Sequence, residues 1–189
     1  MADNGSFFHD TRTPFIAADV GSVTLAATDK ALYPVGAFPV LGAGYFNSFL
    51  GKSLWIHMFG RITTGITPGN GTFDIYFGSG ADATGTIIAS SGTLALSASQ
   101  TNVSWEANLY VTTRKLNDAT NGALLCTGKV DFNVGVLAST LAPMLIPASA
   151  AAQVTVDLTA ASIVSVQFKR SGSTAEAMQI HQMFVTALN

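Results

Sequence analysis

Alternation with a period of two residues constrains this chain more than any other feature of its sequence. Over 102–114, Val103, Trp105, Ala107, Leu109 and Val111 alternate with Ser104, Glu106, Asn108, Tyr110 and Thr112. That pattern is a strand with one side in a core and the other turned away from it. Over 53–64, Leu54, Ile56, Met58 and Ile62 fall on one side and Trp55, His57, Phe59 and Arg61 on the other. Over 72–78, Phe73, Ile75 and Phe77 oppose Thr72, Asp74 and Tyr76. Further strands read at 86–90 continuing to 96, at 124–134, 154–158, 162–169 and 178–188. Between them stand turn sequences: Pro68-Gly69-Asn70-Gly71, Ser79-Gly80, Ser91-Gly92, Asn117-Asp118, Asn121-Gly122 and Ser171-Gly172. No segment combines ten residues of helical periodicity with caps. The expected fold is therefore all-β: an eight-stranded antiparallel jelly-roll sandwich over residues 52–189. An immunoglobulin-like sandwich competes less well, because it needs only about 100 residues and seven strands.

Residues 1–51 differ in kind. Phe7, Phe8, Phe15, Phe38, Phe46 and Phe49 crowd a segment broken by Pro14, Pro34 and Pro39 and by several glycines. Short strands at 23–26 and 31–33 are the only regular elements it suggests. A segment so interrupted cannot build a core of its own, yet it is too apolar to stay in water. The expectation is an extended N-terminal arm with short strands, whose rings seek a neighbouring subunit. The folded-back alternative, in which the segment packs on its own domain, stands beside it.

Charge narrows the function classes. Nine Lys and Arg and eleven Asp and Glu make up 11% of the chain, against about 25% in an average soluble domain, while 48% is hydrophobic. Such a chain is not disordered. Its basic residues are scattered, which argues against binding nucleic acid through phosphates. The longest uncharged stretch, 132–156, carries Asn133, Ser139, Thr140, Ser149 and Gln153 and is broken by Pro143 and Pro147. It reads as a buried loop, not a membrane span. Residues 1–10 lack the basic start and apolar centre of a secretion signal. Cys126 is the only cysteine, so no intrachain disulfide framework exists. A subunit made in the cytoplasm and kept soluble by assembly is the expectation.

The chemistry-bearing residues are sparse. Gly51-Lys52-Ser53 ends like a phosphate loop, but Phe46 occupies the place of its first glycine and a strand follows it. His9, His57 and His181 have no second ligand at metal-binding spacing. His57, between Trp55 and Phe59, reads as a packed, hydrogen-bonded histidine. Glu106 and Glu176 are the two glutamates, little material for a glycosidase pair. Asp74 and Glu106 read as carboxylates meeting an arginine across strands. No catalytic residue, cofactor or metal site is expected, and the chain is not read as an enzyme.

Three segments carry a family resemblance: Leu54-Trp55-Ile56-His57-Met58-Phe59-Gly60-Arg61-Ile62, Gly71-Thr72-Phe73-Asp74-Ile75-Tyr76-Phe77-Gly78 and Ser104-Trp105-Glu106-Ala107-Asn108-Leu109-Tyr110-Val111-Thr112-Thr113-Arg114. Together they resemble the jelly-roll virion structural proteins of tailed bacteriophages, of the capsid-decoration, cement or minor capsid type. The match covers about a third of the chain. In that family a glycine turn soon follows the arginine; here Lys115-Leu116-Asn117-Asp118 intervenes before Gly122. The resemblance implies a homo-oligomer, often a homotrimer, that binds the major capsid protein on the outside of a virion. Phe7, Phe8, Phe15, Phe38, Phe46, Phe49 and Trp55 are the candidate interface. A receptor- or carbohydrate-binding module of a phage tail or fibre is the alternative, and would expose aromatics such as Trp55 or Tyr110. A capsid protein packaging its own genome would want a basic arm, whereas Arg12 is the only basic residue before Lys30.

Overall fold

The computed structural model describes residues 14–16, 22–33, 40–118, 121–133, 135–138, 144–172 and 176–188. Among them are thirteen strands and no helix: β1 (Pro14–Ile16), β2 (Ser22–Thr24), β3 (Lys30–Ala31), β4 (Ser53–Thr63), β5 (Asn70–Gly78), β6 (Thr86–Ser90), β7 (Leu94–Ala95), β8 (Val103–Lys115), β9 (Gly122–Phe132), β10 (Met144–Ile146), β11 (Val154–Val156), β12 (Ile163–Arg170) and β13 (Ala177–Ala187). They form two antiparallel sheets of a sandwich. The larger runs β1-β13-β4-β8-β9-β10, with β2 also on β13 and β11 also on β9; the smaller runs β3-β12-β5-β6, with β7 on β5. The consecutive strands β4 and β5, one in each sheet, pair with β13 and β12 from the other end of the chain. The chain is thereby rolled up on itself.

The alternation seen in the sequence is the alternation of burial. Along β4, Leu54, Ile56, Met58 and Ile62 are inside, and along β8 so are Trp105, Ala107, Leu109 and Val111. Between the sheets Phe73 packs edge-on against Trp105, with ring centroids 5.8 Å apart, and against Phe168 in its own sheet at 6.3 Å.

The count of eight strands is corrected to thirteen. The expected strand over 86–96 is two, β6 and β7, because the chain turns at Ser91-Gly92, where Gly92 has φ +65° and the Ser91 Oγ accepts the Phe73 N–H. Three further strands, β1 to β3, come from the segment read as an arm. The apolar stretch 132–156 supplies β10 and β11, which pair with opposite ends of β9.

The described parts of residues 1–51 are built into the domain, which corrects the boundary at residue 51. β2 continues the larger sheet beside β13, and β3 continues the smaller one beside β12. Residues 25–29 therefore cross from one sheet to the other and close that side of the sandwich. Leu25, Leu32, Tyr33 and Leu41 join the core. The Tyr33 hydroxyl replaces a strand at the β12 edge, donating to the Val164 carbonyl at 3.0 Å and accepting the Val166 N–H at 2.8 Å. Beneath the crossing segment, Lys169 Nζ lies 2.9 Å from Asp74 and 3.3 Å from Asp29, which also accepts the Tyr76 hydroxyl at 2.8 Å. Burial pushes the Asp29 carboxyl above its ordinary value. Asp74 thus meets a lysine, not the expected arginine. Among the described residues no helix is long and apolar enough to cross a membrane.

Candidate interaction face

The larger sheet turns its second face outward, and that face is unusual for a half-solvated antiparallel sheet, where polar residues normally alternate outward. From β4 it presents Trp55, His57 and Phe59, and from β13 Phe184. The four rings form one cluster: Trp55 and His57 stack at 5.5 Å with an interplanar angle of 20°, and His57 sits 4.3 Å from Phe59. His57 and Phe59 lie 6.3 and 6.4 Å from Phe184. Tyr110 on β8 stands opposite Trp55 and is 44% exposed, and Leu145 on β10 stands opposite Lys129 and is 69% exposed.

Polar side chains on this face bond to one another. His57 Nε2 and Glu106 Oε1 are 2.9 Å apart, the Asn108 amide donates to the same oxygen at 2.7 Å, and Trp55 Nε1 donates to Asn108 Oδ1 at 3.3 Å. The expectation that Glu106 meets an arginine is corrected: its partner is His57. That hydrogen bond, with help from Asn108 and against the cost of burial, holds the Glu106 carboxyl below the usual carboxylate range. On the next strand Lys129 Nζ lies 2.6 Å from Asp131, which raises the lysine's pKa.

Near one end the face sinks into an open depression of about 410 Å³. Its floor is the Gly60–Trp105–Phe132 row of paired strands, and its walls include Phe59, Arg61, Ser104, Glu106, Asp131 and His181. His181 reaches it through a bulge: Ile180 pairs with Gly60 and Gln182 with Phe59, leaving His181 as the extra residue. Among the described residues no group of three or more His, Cys, Asp or Glu is placed to hold a metal ion.

The expected interface residues scatter. Trp55 lies on the aromatic face, half-buried. Phe49 is 41% exposed at the far end of β4, beside Leu50 at 61%, with the Lys52 ammonium 5.3 Å from its ring centroid. Phe46 is corrected to a core residue, 2% exposed, packed 6.0 Å from Phe77 and tied down by the Thr113 hydroxyl, which donates to its carbonyl at 2.8 Å. Phe15 stands within β1 on the β13 edge. Phe7, Phe8 and Phe38 lie outside the described residues. Phe59, Phe184 and Leu145 were not singled out by sequence reasoning. The signal for the first was present, because Phe59 falls on the outward side of β4 together with Trp55.

Fold and face together define a class: an all-β sandwich whose larger sheet carries an aromatic, sparsely charged outer surface. No family model matches the sequence, and no curated protein matches it. Among solved structures, one match is the legume lectin-like domain from Entamoeba histolytica, at 7% identity over 88% of this chain and 97% of that chain, with a TM-score of 0.28. A likeness at that level carries no inference.

Proposed function

We propose that the chain is a non-enzymatic structural protein of a virion, a capsid decoration or cement subunit that self-associates and lies against the major capsid protein. The observation that carries this reading is the outer face of the larger sheet. Trp55, His57, Phe59, Phe184, Tyr110 and Leu145 occupy positions that a solitary sandwich fills with charge and hydroxyl. The composition supports it: twenty charged side chains over 8725 Å² give about one per 440 Å². A subunit with permanent protein neighbours needs no more. Scattered basic residues give no stripe for nucleic acid, and neither nucleic acid nor a membrane belongs to this reading. Its place is the virion, after assembly in the host cytoplasm.

A receptor- or carbohydrate-binding module of a tail or fibre has one observation in its favour, the exposed Tyr110 ring. Against it, Trp55 is half-buried and stacks one broad face on His57, which leaves less of its ring to offer a sugar. The test is cosedimentation of the purified chain with capsids of the particle whose genome encodes it. The expected result is binding in fixed ratio to the major capsid protein, and recovery of the chain from density-banded particles by mass spectrometry. A chain that stays in the supernatant and is absent from banded particles overturns the reading.

A further inference from the structure

The aromatic face holds both a projection and a hollow. Tyr110 projects from β8, and the depression walled by Phe59, Arg61, Glu106 and Asp131 lies toward the other end of the same strand. Glu106 and Tyr110 are four residues apart, about 14 Å at strand rise. Asn108 lies midway between them and belongs to a row that crosses the sheet: Phe184, His57, Asn108, Lys129, Leu145.

Resting on the proposed structural role, we infer that the outer face of the larger sheet is the surface by which the chain pairs with a second copy of itself, each Tyr110 seated in the other copy's depression. A two-fold axis lying in the interface along the Asn108 row brings every Tyr110 over the opposite hollow. An isologous contact of this kind uses one patch twice and closes at two subunits, a dimer in place of the trimer that the family resemblance implies.

Area and charge both fit this occupant. On the main path of the sheet β13, β4, β8 and β9 run 11, 11, 13 and 11 residues, and β1 and β10 run three each. At about 4.8 Å per strand and 3.4 Å per residue the face offers on the order of 800 Å². A standard-size interface takes about 800 Å² from each partner. The formal charges on the face are Arg61, Arg114, Glu106, Lys129 and Asp131, a sum of +1. Lys129, which the axis sets against its own copy, is already paired with Asp131 at 2.6 Å, so little net charge opposes a second copy. In the hollow the phenol of Tyr110 meets the Phe59 ring and has the Glu106 and Asp131 carboxylates as acceptors.

Sedimentation equilibrium of the full chain at micromolar concentration tests this directly. The wild type is expected at twice the chain mass. Tyr110→Glu sets a carboxylate against Glu106 and Asp131 of the second copy, which outnumber Arg61 in the hollow, and is expected to weaken pairing at least tenfold. Tyr110→Lys sets an ammonium there and is expected to remain dimeric. Circular dichroism of both variants should match the wild type, and so should their melting temperatures at dilutions where all three are monomeric, because the ring is exposed in the single chain. A wild-type monomer or trimer, or two variants that behave alike, overturns the inference. A dimer that ignores capsids removes the capsid reading and leaves the pairing intact; a monomer that decorates capsids does the reverse.

Discussion

At position 60 a methyl group would run into the Gln179 carbonyl and would stand 2.7 Å from the Trp105 indole. Glycine here is what lets β4 lie close to both neighbours and keeps the floor of the depression low. Gly60→Ala is expected to lower stability by about 1–3 kcal/mol, as overpacking does, measured by urea unfolding. Trp105, 2% exposed, faces Phe73 across the sandwich, and Trp105→Ala should cost about 3–5 kcal/mol. Trp55, on the outward side of the neighbouring strand, should cost clearly less in the same assay. Cys126 is buried, and burial pushes its thiol up to about 12. It should react with a thiol reagent only as fast as the protein unfolds, and rapid labelling of the native chain would contradict the packing described. Glu106 supplies a pH prediction. Its folded pKa is depressed, so its contribution is complete above the ordinary glutamate value of about 4.3 and is lost as pH falls through the folded value. Its side chain is 39% exposed, so solvent screening keeps the effect small. Carbon-13 titration should place its midpoint below the ordinary value, and Glu106→Gln should flatten the melting temperature between about pH 5 and 3 relative to wild type.

At the scale of elements, what was legible in the sequence was the part governed by strict alternation. β4, β5, β8 and β12 fall within two residues of the expected bounds, because one side of each is core and period two has no rival there. β13 shows where the pattern carried more than was read from it. Its inward residues are Met178 and Ile180, then Met183 and Val185. The change from even to odd numbers is the bulge at His181, and it is visible in the sequence as a slipped alternation. In the N-terminal segment the expected short strands at 23–26 and 31–33 lie within two residues of β2 and β3. Their partners were not legible, because the pairing with β12 and β13 spans more than 130 positions of sequence. Prolines and glycines signalled a segment without its own core and left two readings open, an arm on a neighbour or a fold back onto its own domain. The pairing of β2 and β3 and the burial of Leu25, Leu32 and Tyr33 favour the second. Deleting residues 1–40 removes β2, β3, Leu25, Leu32 and Tyr33 from the sandwich. The truncated chain is expected to lose its cooperative thermal transition, checked by calorimetry. Tyr33→Phe is a gentler probe: it strips the cap from Val164 and Val166 and should cost about 1–3 kcal/mol.

For the whole molecule, composition gave the strongest hint and the least address. One charge per about 440 Å² implies covered surface without saying which surface. The sequence placed the covering contacts on the N-terminal phenylalanines, since these had no visible partner, and on Trp55. The sandwich gives Phe46 a partner inside and leaves the outer aromatic face as the larger apolar surface. That relocation follows from topology. The rings of β4 and β13 cluster only because the two ends of the chain pair, and β10 adds Leu145 only because an apolar loop returns to the β9 edge. The claim that this face is covered by protein is tested most directly by hydroxyl-radical footprinting of the native full chain across a dilution series. Ile66, 75% exposed in the loop between β4 and β5, serves as the internal reference. The expected result is that Tyr110 and Leu145 are protected at high concentration and gain reactivity on dilution while Ile66 stays constant. Tyr110 and Leu145 fully reactive at every concentration, in step with Ile66, would contradict it.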